Sequence, residues 1–95
     1  MPETFWTVRW PDGGEERCYS PSSVVAEIFA PGTAYPLADF LALSREAMRR
    51  ASDRVEAKYG YPCSNARAQM VRIEARAAAF AGDDAARVTC LEITS

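Results

Sequence analysis

The sequence predicts an α+β domain: a small antiparallel sheet, built from an N-terminal β-hairpin and a C-terminal strand, packed on a helical layer with an antiparallel helix pair. Three observations carry this expectation. The run "FWTVRW" (5–10) alternates with period two and stops at Pro-Asp-Gly; two stripes of apolar residues at helical spacing fill 37–80; and "RVTCLEI" (87–93) returns to strand composition. The expected order is β-β-α-α-α-β over a single domain, 1–95, because a chain of 95 residues has room for one modest core.

In the first strand Trp6, Val8 and Trp10 share one face, and Phe5, Thr7 and Arg9 share the other. Pro11-Asp12-Gly13 suits a type I turn that ends on a left-handed glycine. A three-residue loop then sets Trp10 against Gly14, Arg9 against Glu15, Thr7 against Arg17, Trp6 against Cys18 and Phe5 against Tyr19. That register aligns opposite charges and an aromatic pair, whereas a slip of one residue would reverse the faces of the second strand. The tryptophans are expected beneath the helices. Phe5, Thr7, Arg9, Glu15, Arg17 and Tyr19 are left on the opposite face as a contact surface, through which a homodimer is expected.

Ser20-Pro21 offers an N-cap and a first-turn proline, and Val24, Val25, Ile28 and Phe29 recur at helical spacing, so a short helix is expected over 21–29, with a strand as the alternative. Ala30-Pro31-Gly32 ends it. Leu37, Leu41, Ser44, Met48, Ala51, Val55 and Tyr59 then form one stripe, with Pro36 at its start and Gly60 at its end. This helix is about 35 Å long at ~1.5 Å per residue. The next runs from Ser64 to near Gly82, with Ala66, Met70, Ile73, Ala77 and Phe80 on its stripe. The link Gly60-Tyr61-Pro62-Cys63 is short enough to make the two helices antiparallel neighbours. Asp83-Asp84 is a turn, and the last strand is expected to join the hairpin, since two strands alone are marginal.

Histidine is absent, which removes the Ser-His-Asp triad, the Cys-His dyad and every imidazole-bearing zinc site. The three cysteines, Cys18, Cys63 and Cys90, show no metal or disulfide spacing, so no metal and no cofactor are expected. Cys63 is the candidate catalytic residue. A thiol beside a helix start is favoured as thiolate, with Arg67 one turn on and Tyr61 nearby as ligand- or partner-binding candidates. The competing reading makes Ser64 the N-cap and Cys63 an apolar plug directed toward Ala68. Phe5, Arg9, Arg17 and Tyr19 are the other binding candidates. Cys18 and Cys90 read as buried strand residues, able to form a disulfide only if the last strand lies beside the second.

The basic series Arg50, Arg54 and Lys58 is interrupted by Asp53 and Glu56 and supported by Glu46 before Arg50, so it reads as a solvated helix face. With a formal net charge of -2 and no phosphate-binding glycine loop, no nucleic-acid partner is expected. Glu15-Glu16 and Asp83-Asp84 read as solvated turn residues. The start of the chain lacks the pattern of a signal peptide, and no run of apolar residues suits a membrane span, so the expected compartment is the cytoplasm.

The strings "VRWPDGGEERCYSPSSVV" (8–25), "YPLADFLALSREAMRRASDRVEAKYGYPCS" (35–64) and "QMVRIEARAAAF" (69–80) resemble a small bacterial family of nitrogen-starvation-response proteins. The resemblance covers nearly the whole chain. It implies a place beside a nitrilase-type hydrolase, a radical SAM protein, an acetyltransferase-like protein and a flavin-dependent oxidoreductase, enzymes of one gene cluster that become candidate partners. It supplies no catalytic residue. The function expected is that of a partner- or small-ligand-binding accessory protein, with a thiol-dependent enzyme or redox sensor at Cys63 as the alternative.

Overall fold

β1 (Thr4–Arg9) and β2 (Glu15–Ser20) form the hairpin in the expected register: Arg9 faces Glu15, Thr7 faces Arg17, Trp6 faces Cys18 and Phe5 faces Tyr19. The turn holds because the Gly13 N–H donates to the Trp10 carbonyl (2.9 Å) at φ 87°, and the Gly14 N–H donates to Asp12 Oδ1 (2.9 Å). The structure is a computed structural model that describes residues 3–61 and 63–94. Pro62, in the expected short link between the two long helices, lies outside the described residues.

After β2 come α1 (Val25–Ile28), β3 (Ala34–Pro36), α2 (Leu37–Tyr59), α3 (Ser64–Ala77), a 3₁₀ turn (Ala78–Phe80) and β4 (Arg87–Thr94). All strand pairs are antiparallel, in the order β2-β1-β4-β3. β4 joins the hairpin as expected. Its imperfect alternation has a local cause: between Thr7 and Val8 the pairing with β4 shifts from Glu92 to Cys90, leaving Leu91 in a bulge. Val88 and Cys90 before the bulge and Ile93 after it therefore all reach the core.

Two elements and one residue differ from expectation. The sheet has a fourth strand, β3, where Tyr35-Pro36 read as the opening of a helix; Tyr35 pairs with Val88, and its ring packs on Phe29 (5.3 Å). Helix α1 is a single turn instead of 21–29. Ser20 Oγ donates to the Ser22 carbonyl (2.7 Å) and Ser22 Oγ accepts from the Val24 N–H (3.3 Å), so these serines build turns and Val24, not Ser20, stands at the N-cap position. Tyr59 closes the α2 stripe in sequence but is exposed, because it stands in the helix's last turn.

The helices lie on one face of the sheet. Trp6, Val8 and Trp10 are buried there, Trp6 stacked on Phe29 (6.0 Å) and Trp10 edge-on to Phe40 (5.5 Å). Ser52 meets Cys63 and Arg45 meets Glu74 (3.2 Å), so α2 and α3 run antiparallel. Gly60, at φ 85°, terminates α2 by donating its N–H to the Glu56 carbonyl (2.7 Å).

Candidate functional site

Cys63 occupies the N-cap position of α3 in extended backbone (φ -83°, ψ 110°), which corrects the expectation that Ser64 would be the cap. The cause lies in α2: the Cys63 N–H donates to Ser52 Oγ (3.3 Å), while its carbonyl accepts the Arg67 N–H (3.3 Å) and starts the helix. The backbone is therefore fixed between two helices and the thiol is half-buried at the rim of the core.

Two open grooves meet at this residue. One, of about 560 Å³, follows the α2–α3 seam past Met48, Ser52, Glu56, Arg67 and Met70. The other, of about 340 Å³, lies at the corner between Tyr19, Val55, Tyr59 and Tyr61, with Glu3 and Pro21 at its border. Tyr59 and Tyr61 are 54% and 63% exposed, their ring centroids 6.3 Å apart at 36°. Lys58 Nζ stands 5.5 Å from the Tyr59 ring.

Tyr19 connects this corner to the sheet. Its N–H leaves the β2 edge and donates to Oε1 of buried Gln69 on α3 (3.0 Å), while its ring meets Phe5 edge-on (5.7 Å). The phenol's pKa is raised, first by desolvation and then by the nearby Cys63 and Glu3. Beside it the Arg17 guanidinium covers the Phe5 ring at 3.9 Å, and Arg9 pairs with Glu15 (3.4 Å). Phe5, Arg9, Arg17 and Tyr19 thus share the sheet face away from the helices, Tyr61 and Cys63 share the corner groove with Tyr19, and Arg67 borders only the seam groove. Sequence reasoning missed Tyr59, Glu3, Ser52 and Gln69. For Tyr59 the signal was present, since the stripe there reaches the glycine stop.

The other candidate groups are accounted for locally. Cys18 and Cys90 are buried free thiols whose pKa values burial pushes up. β1 separates their strands by two strand spacings, about 9–10 Å, which is beyond disulfide reach, so the condition for pairing them is not met. Glu16 accepts from Trp10 Nε1 (3.2 Å) instead of standing in solvent as a turn residue. Glu46 bonds Arg49 (2.6 Å), not Arg50, and Arg49 also bonds Asp53 (3.0 Å); within the basic series Arg54 bonds Glu27 (3.4 Å), and the neighbouring carboxylates break up its positive field. Among the described residues no group of three His, Cys, Asp or Glu side chains is placed to hold a metal, and no helix is long and apolar enough to cross a membrane.

Fold and site together define a small α+β protein with its helices on one sheet face and a half-buried thiol where two grooves meet. Within that class the chain belongs to the family of the nitrogen starvation-induced protein NitG, whose model matches residues 5–93. No curated protein and no solved structure matches it.

Proposed function

We propose that the chain is a binding accessory protein of the nitrogen-starvation response, acting in the cytoplasm as a homodimer and taking a small nitrogenous ligand or a partner enzyme at the α2–α3 corner. The observation that carries this reading is the convergence of both grooves on Cys63 beside two tyrosines that are more than half exposed. Such rings at a preformed concavity gain contact area when it is filled. With no histidine in the chain, the common base for thiol or hydroxyl chemistry is missing. The test is growth on limiting nitrogen of cells that lack the gene. The parent chain and Val71→Ala, an exposed α3 change outside both grooves, restore growth; Tyr61→Ala fails, although circular dichroism shows it folded. Full rescue by Tyr61→Ala would overturn the assignment of the corner.

A second reading, a thiol-dependent enzyme or redox sensor at Cys63 with Arg67 and Tyr61 shaping the pocket, is favoured by one observation: the residue lines both grooves. It requires iodoacetamide to alkylate Cys63 in the native protein faster than a free cysteine at the same pH; reaction only in denaturant would reject it.

A further inference from the structure

We infer that the corner groove bounded by Tyr19, Tyr59 and Tyr61 is a site for a small alkylated ammonium cation. This rests on the reading that the corner binds a ligand, and adds its chemical class. Three phenol rings border the groove, together with the Glu3 carboxylate; Lys and Arg are absent from its lining among the described residues. Phenol faces carry negative electrostatic potential, and an ammonium within about 6 Å of a ring centroid is attracted to it. The Lys58 ammonium stands 5.5 Å from the Tyr59 ring outside this lining; its charge opposes a second cation, and the Glu3 carboxylate offsets it.

The helix ends do not decide the sign. The carbonyl end of α2 and the amide end of α3 both border the groove, and their partial charges oppose each other. Glu3 and the rings remain, and both favour positive charge. The wall is mixed: Pro21 and Val55 supply apolar surface for substituents on the nitrogen, while the phenol oxygens, Ser64 and Asn65 supply acceptors for any N–H that remains. A volume of about 340 Å³ lies at the lower end of small-molecule pockets, about 300–1,000 Å³, so the ligand is small.

Amide NMR titration of the whole chain with choline, and separately with its uncharged isostere 3,3-dimethyl-1-butanol, tests this. Choline shifts the amides of Tyr59, Gly60, Tyr61 and Cys63 and binds about tenfold more tightly than the isostere. Tyr61→Ala weakens choline by a similar factor, Tyr61→Phe keeps most of the affinity because the ring remains, and Glu3→Gln weakens it and flattens its salt dependence. Equal binding of choline and isostere, no shift at the corner, or shifts produced by acetate instead would each overturn the cation assignment. If choline fails while Tyr61→Ala still abolishes growth rescue, the ligand class is wrong and the binding corner stands; if growth rescue is also intact, the corner itself is wrong.

Discussion

Access separates the three thiols. Cys18 and Cys90 are buried on β2 and β4, whereas Cys63 is half-buried and borders both grooves. Ellman's reagent is expected to titrate one thiol in the native protein and three in denaturant, and Cys63→Ser to lower the native count to zero. Three rapidly reacting native thiols would contradict the packing. Asp12 gives a pH-dependent counterpart. Two hydrogen bonds from Arg76 Nη2 (3.0 and 2.8 Å) hold its carboxyl below the ordinary 3.8, with the Gly14 N–H assisting. The folded pKa is depressed, so the contribution to stability is complete above 3.8 and is lost as pH falls through the folded value. Asp12→Asn should therefore lower the urea midpoint at pH 7, with a gap from the parent that closes in acid. A gap unchanged down to low pH would show that Arg76 is not the cause. The hairpin contacts around Asp12 were legible in the sequence because turn chemistry and period two fix a register. Buried Gln69 was not: it stands on the buried face of α3, three residues after Ala66 and four before Ile73, but a polar residue there has no stated partner until the β2 edge is placed beside it.

Elements owe their ends to single residues. Gly60 stops α2 at φ 85°, where a β-carbon would meet no atom within 4 Å, so any penalty of substitution comes from the backbone conformation and not from a clash. Gly60→Ala is expected to cost about 1 kcal/mol, which for a domain of this size lowers Tm by about 4–8 °C. Gly60→Asn should cost less, because Asn tolerates the left-handed region. Equal melting of Gly60→Ala and the parent would mean that the corner re-forms with different geometry. Long elements were legible for the same reason that α2 is stable: its stripe repeats over many turns and a glycine marks the end. β3 was not, since three residues cannot display a period and Tyr35-Pro36 carries a helix-start signal. Its strand pairing comes instead from β4, whose Cys90 exchanges backbone hydrogen bonds with Gly32 and Thr33 (2.7 and 2.9 Å). Cys63 as cap was hidden likewise, because Ser52, its hydrogen-bond partner, lies 11 residues earlier on another helix.

For the whole molecule the governing fact is that the helices cover one sheet face only. The covered face holds Trp6, Val8, Trp10, Val88 and Cys90; the other carries Phe5, Thr7 and Tyr19, each half-buried, among Arg9, Arg17, Glu15 and Glu92. The two signs are interspersed, Arg9 beside Glu15 and Arg17 across Thr7 from Glu92, so a second copy turned by a two-fold axis can set its arginines against the glutamates of the first. This supports the proposed homodimer through the sheet face. A stable dimer of ordinary size buries about 800 Å² on each partner, and the face needs most of its three long strands to supply that. Light scattering after size exclusion is expected to give twice the 10.5 kDa chain mass. Phe5→Asp, which brings two like charges toward the axis and removes the ring beneath Arg17, should shift the protein to one chain mass while circular dichroism stays unchanged; Phe5→Ser should weaken the dimer less, because it adds no charge. A parent chain that elutes at one chain mass at every concentration would leave this face without a second copy, and the corner groove would then have to act within a single chain.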